Sequence, residues 1–227
     1  VTVLRTLPGF GSLQVLALPP ELSVPEAIRR YQACDGVAFA EPDFGVQPAY
    51  TPNDPAYGDG RQWGWHNTGQ MGGAADIDID APEGWDLQRD ASEVIVAVVD
   101  SGVRSTHEDL AANLWTNPKE IPGHGLDADF NGLIDDVHGF NAINRTGDPL
   151  DDLGHGTLIT GIIGAVGDNR LGLAGVAWHT RLLAAKFLEA WGDGYISDGW
   201  VCLDYARAHG ARIINASWSV PDYYQGL

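Results

Sequence analysis

Asp100 and His155 are the side chains whose settings suit proton transfer. Asp100 closes the apolar run Val94-Ile95-Val96-Ala97-Val98-Val99, and Ser101-Gly102 opens a turn behind it. A run of mostly β-branched residues without a polar break reads as a strand buried on both faces of a parallel sheet. The carboxyl ends of such strands are where ligands and reactive groups gather. His155 stands in Gly154-His155-Gly156-Thr157, at the start of an apolar, small-residue helix, with glycines that leave the ring open. An aspartate bonded to an imidazole fixes its tautomer and stabilises the imidazolium that forms, so the other ring nitrogen can act as general base. Each motif alone also has a plainer reading. Asp-Ser-Gly forms ordinary turns, and Gly-His-Gly-Thr can simply start a helix.

A second chemistry is offered by Asp127-Ala128-Asp129-Phe130-Asn131-Gly132-Leu133-Ile134-Asp135-Asp136. Oxygen-bearing side chains at alternate positions, then glycine, then carboxylates, can wrap a hard cation such as calcium. The spacing resembles the start of an EF-hand loop, but no glutamate stands at its twelfth position and no flanking helices are evident. Asp127, Asp129, Asn131 and Asp136 are the expected side-chain ligands of Ca2+, with the Leu133 carbonyl beside them. The alternative is a solvated acidic loop.

The elements that must position these groups alternate between strand and helix. After the Asp100 strand come a short surface turn at His107–Leu110 and a long acidic loop over 116–152. The His155 helix, a strand over Arg181–Leu188, a helix over Gly199–His209 and a strand over Ala211–Ser217 follow. This order predicts an α/β fold built on a doubly wound parallel sheet. Residues 49–80 read as irregular chain rich in Gly, Pro, Asn and Asp, leading into a short helix at Ala81–Asp86. Residues 1–48 read as a small α+β unit. It has a strand over Leu13–Leu18, a helix from the N-cap Ser23 through Tyr31 and a second strand over Val37–Pro42. That is little core for independent stability.

Charge narrows the partners. With 31 acidic against 13 basic residues the net charge is −18, which repels the phosphates of a nucleic acid and favours hard cations. No apolar stretch reaches the roughly 18 residues of a membrane span, and no signal peptide opens the chain. Cys34 and Cys202 fall in different expected domains, so no bridge between them is expected.

Several blocks together resemble the subtilisin-like serine proteases. Val98-Val99-Asp100-Ser101-Gly102 with His107-Glu108-Asp109-Leu110 resembles that family's aspartate block, and Gly154-His155-Gly156-Thr157 its histidine block. Gly172-Leu173-Ala174-Gly175-Val176-Ala177 is similar to the stretch that follows, and Ile213-Ile214-Asn215-Ala216-Ser217-Trp218 to the substrate-binding strand. Tyr50-Thr51-Pro52-Asn53-Asp54-Pro55 is similar to the mature amino terminus of thermitase-like members. The blocks keep the family's order over residues 50–227.

The resemblance implies a serine endopeptidase precursor with Asp100 as orienting acid and His155 as general base. A protein or peptide substrate would lie beside Ser217, Trp218 and Ser219. It also implies a calcium site, for which sequence spacing says nothing, from Asp54, Asp109 and the Val166 loop, with Asp168 or Asn169 as loop ligand. For Asp109 a turn or helix cap remains the alternative. Residues 1–49 would be part of an inhibitory propeptide, the zymogen cut near Ala49–Tyr50, and residues 50–227 the N-terminal part of the catalytic domain. Secretion is the family's default.

The chain also departs from the family. Leu158 replaces a histidine usual shortly after the catalytic one, and Ser219 a glycine that lets substrate backbone approach. No serine stands in a Gly-Thr-Ser context. The nucleophile and the oxyanion asparagine are therefore expected beyond Leu227, in a C-terminal part, with the sheet incomplete on that side and residues 1–227 alone inactive. The rival is a pseudoprotease or calcium-stabilised binding protein. A phosphoryl-transfer site at Asp100 is disfavoured by Gly102, where a second aspartate is common.

Overall fold

The computed structural model describes residues 1–43 and 50–220. The chain divides into two compact units, residues 1–48 and 49–227. The segment 44–49, which holds Ala49 of the expected cleavage site, lies outside the described residues.

In the first unit β1 (Thr2–Leu7) pairs antiparallel with β2 (Leu13–Ala17), and α1 (Val24–Gln32) follows. Ser23 stands at the N-cap of α1 without a side-chain capping bond, and Glu26 holds Arg29 and Arg30 along the exposed face. The strand expected over Val37–Pro42 is not formed. Its Val37 and Phe39 are exposed, Pro42 has no N–H to donate, and the partner of β2 is β1. β1, which no sequence pattern marked, pairs with β2 across a tight reversal at Gly11 and Ser12, both at positive φ. Among the described residues of this unit only Ala27 is a buried hydrophobic.

The second unit runs α2 (Pro55–Gly58), α3 (Ala81–Leu87), β3 (Asp90–Asp100), β4 (Gly139–Asn141), α4 (His155–Gly164), β5 (His179–Lys186), α5 (Ile196–Ala208) and β6 (Ile213–Asn215). The sheet order is β4-β5-β3-β6, with every pairing parallel. The acidic loop thus contains one short strand that was expected to be irregular. Three residues are too few to show a period, and β4 exists because Gly139–Asn141 can pair beside Ala184–Lys186.

The sheet's alternation sorts the core into two layers. Ala97, Val99, Leu183 and Ala185 pack with Phe140 and with Cys202 and Ala206 of α5. Val96, Leu182 and Ala184 pack on the other face with Leu110, Leu114 and Ala165, where α4 ends. One helix on each face is the doubly wound arrangement. It explains why β3 could be apolar throughout, since neither face meets water and its last five residues are buried. The turn at His107–Leu110 exposes Glu108 as a surface turn would, but buries Asp109 and Leu110.

A third cluster joins Ala81, Trp85, Ala174 and Trp178 with Tyr57 and Trp65. The indole N–H groups of Trp65 and Trp85 donate to the Ala174 and Val176 carbonyls, which pins the irregular segment before β3. At the other sheet edge, Ile213 and Ile214 of β6 are exposed. Among the described residues no helix is long and apolar enough to cross a membrane.

Candidate active site

β3 ends at Asp100, which is fully buried, and α4 starts at His155, whose side chain is 44% exposed. Their contact is His155 Nδ1 to Asp100 Oδ1 at 2.7 Å. A buried carboxylate accepts, so Nδ1 carries the proton and donates it, and Nε2 is left as the basic nitrogen. The same Asp100 oxygen accepts the Ser101 N–H at 2.7 Å, while Oδ2 is buried without a partner.

Two glycines make this approach sterically feasible. Gly154 precedes the helix at φ +97°, a left-handed backbone that side-chain-bearing residues avoid. Gly156 lies so close to the aspartate turn that a Cβ there would stand 2.2 Å from the Gly102 carbonyl oxygen and 3.2 Å from Asp100 Cβ. The glycines flanking the histidine therefore do more than leave its ring open.

Ser101, Asp151, Asp152 and Lys186, missed by sequence reading, hold the junction. Ser101 Oγ donates to Asp151 Oδ1 at 2.8 Å and accepts the Gly156 N–H at 2.9 Å. The Lys186 ammonium, at the end of β5, is buried and donates to the Ser101 and Leu188 carbonyls and to Asp152. In sequence Asp151 and Asp152 are two more acids of an acidic loop, so no local signal marked them.

Ser217 and Trp218 follow β6 and flank the carboxyl end of β3. Asn215 Nδ2 donates to Ser217 Oγ at 2.9 Å. Trp218 sends its indole N–H to the Val99 carbonyl at 3.0 Å and sets its ring on Phe187, while Ser219 is exposed. Leu158, one turn into α4, is also exposed. Cys202, by contrast, is fully buried, and burial, then the Asp198 charge, pushes its thiol up to about 12, so it is no thiolate nucleophile.

The two expected cation loops differ in character. Asp54, at the N-cap of α2, does not cap that helix. Its Oδ2 accepts the Asp168 N–H at 2.7 Å and its Oδ1 is buried with no partner. Burial raises the Asp54 carboxyl above its ordinary range, with the nearby Asp109 charge adding to this and backbone N–H groups of Asp168 and Asn169 opposing it. Asp109, also buried, accepts from Asn169 Nδ2 at 2.7 Å and from the Leu173 N–H. Val166 donates its N–H to the Asp109 carbonyl, and Asp168, at φ +61°, accepts the Asn53 N–H. Buried acids beside an orphaned carboxylate oxygen suit a cation that would supply the missing partner.

In the acidic loop, Asp127 accepts the Asn131 and Gly132 N–H groups and Asp129 that of Asn131. Asp136 is fully buried and accepts from Asn117, Asn131 and the Tyr205 hydroxyl. Leu133 donates its N–H to Asn131 Oδ1. The fold adds a residue the sequence did not suggest, Glu120, which accepts the Ala128 and Asp129 N–H groups through one oxygen and buries the other unpartnered. Its carboxylate comes within 4.8 Å of those of Asp127 and Asp129. Glu120 lies seven residues before Asp127, and only the reversal of the chain between them makes them neighbours.

A sequence model described as the subtilase family matches residues 91–226. Subtilisin-like protease 1 of Plasmodium vivax is 43% identical over 129 residues, covering 56% of this chain and 20% of that protein. Thermitase of Thermoactinomyces vulgaris is 32% identical over 168 residues, covering 74% of this chain and 48% of that protein. A solved protease structure from Pseudoalteromonas arctica is similar in fold, with a TM-score of 0.53 at 27% identity, covering 74% of this chain and 51% of that one. The chain thus spans between 20% and 48% of the two curated relatives named.

Proposed function

The chain belongs to the subtilase family, and we propose that it is part of a serine endopeptidase precursor, an enzyme that cleaves peptide bonds by acyl transfer. The observation that carries this reading is the 2.7 Å contact between His155 Nδ1 and Asp100 Oδ1, in which the aspartate is fully buried and the histidine side chain stays partly exposed. His155 Nε2 takes the proton of a serine hydroxyl as the oxygen attacks the peptide carbonyl, then gives it to the leaving amine. Asp100 keeps the ring in the productive tautomer and stabilises the imidazolium. The serine and the oxyanion donor would come from outside residues 1–227. Substrate would lie extended beside Ser217, Trp218 and Ser219. Residues 1–49 would act as an inhibitory propeptide of a secreted enzyme.

Calcium belongs to the same reading. Asp54, Asp109 and the loop of Val166, Asp168 and Asn169 would hold one ion. Asp127, Asp129, Asn131, Leu133 and Asp136, with Glu120, would hold another. The support is the pair of buried, unpartnered carboxylate oxygens on Asp54 and Glu120. The ions would supply positive charge to loops that otherwise repel themselves, and take no part in proton transfer.

The test uses the full-length protein. Wild type should react with a fluorophosphonate and lose its N-terminal segment near Tyr50. His155→Ala should do neither. Normal processing of His155→Ala would refute self-cleavage by this site, and absence of labelling in folded wild type would favour a pseudoprotease.

A further inference from the structure

α4 begins with an uncapped end. Its N-cap is Gly154, which has no side chain to satisfy the free N–H groups of the first turn. Asp151, outside the helix, supplies the acceptor. One carboxylate oxygen accepts the N–H and the hydroxyl of Thr157. The other accepts the Leu153 N–H at 3.1 Å, the Gly154 N–H at 2.8 Å and the Ser101 hydroxyl at 2.8 Å. Ser101 is covalently next to Asp100, and its oxygen accepts the Gly156 N–H. One carboxylate therefore ties the residue beside the orienting acid to the residues on both sides of the base.

We propose that Asp151 is a positioning residue for the reaction described above, one that holds the first turn of α4 against the Asp100–Ser101 turn so that His155 Nδ1 meets Asp100. It rests on the serine-protease reading of that pair. Asp151 acts through Ser101, Gly154 and Thr157. Burial works to raise its carboxyl, but the bonds from Thr157, Gly154 and Ser101 outweigh this and keep it below the ordinary carboxylate range, hence an acceptor at neutral pH. An acceptor on both oxygens is required, because five donors converge on them. An amide in its place would turn an N–H toward at least one of these donors.

In the full-length protein, Asp151→Asn should lower kcat about 10–100-fold while KM moves less than about twofold, as expected when a base is slightly misplaced. The downfield proton resonance of the His155–Asp100 bond should shift or vanish in a protein whose circular dichroism is unchanged. Asp151→Glu, which keeps both acceptors, should recover part of the loss. Ser101→Ala, which removes the bridging hydroxyl, should show the same pattern and be non-additive with Asp151→Asn. The proposal is overturned if Asp151→Asn leaves kcat and the resonance unmoved, or lowers thermal stability alone. If Asp151→Asn does not fold, Ser101→Ala decides by the same criteria. If wild type neither cleaves peptides nor reacts with a fluorophosphonate, the protease reading fails. The resonance then still decides whether Asp151 positions His155.

Discussion

Which nitrogen of His155 carries the proton depends on one buried oxygen of Asp100. Asp100→Ala removes the acceptor of the Nδ1 proton, so nothing fixes the tautomer and the imidazolium loses its counter-charge. In the full-length enzyme kcat should fall about 10⁴-fold with the fold intact. Steady-state kinetics checks this, and a loss below about tenfold would mean the imidazole is oriented by something else. The Asp100–His155 pair was legible in the sequence, because a strand-terminal acid and a glycine-flanked histidine are local patterns. Asp151, Ser101 and Lys186 were not, since each is recognised only by what the fold sets against it.

At the scale of elements, the decisive feature is how closely α4 can approach the end of β3. A methyl group on Gly156 would stand 2.2 Å from the Gly102 carbonyl oxygen, so one backbone or the other must move. Gly156→Ala should destabilise the protein by about 1–3 kcal/mol, the usual range for overpacking, and lower kcat because the moving element carries His155. Thermal unfolding and kinetics of the same sample measure both. Unchanged stability would contradict the close approach. The unbroken apolar run of β3 marked a strand covered on both faces, and that was readable from the sequence, whereas which helix covers which face was decided by the packing. The three-residue strand β4 and the hairpin partner β1 were not, because neither carries a long enough pattern and each exists through its pairing.

At the scale of the whole molecule, the net charge of −18 concentrates part of its cost in loops that bury carboxylates. Chelation should lower the melting temperature of the full-length protein. An ion present at a hundred times its Kd contributes about 2.7 kcal/mol. Asp129→Ala should lower thermal stability in calcium and not in chelator. Equal losses in both conditions would show that Asp129 serves the loop's own hydrogen bonds rather than an ion.

The residues by themselves determined the parallel α/β architecture, the family and the pairing of Asp100 with His155. These follow from contiguous signals: hydrophobic period, strand-end chemistry and short blocks in fixed order. Only the tertiary structure decided that Glu120 joins Asp127 and Asp129, that Asp54 keeps a carboxylate oxygen unpartnered, and that Asp151 clamps the start of α4. The physical reason is the same in each case. A carboxylate's role is set by the donors and charges within a few ångströms of it, and here they come from chain segments that only folding brings together.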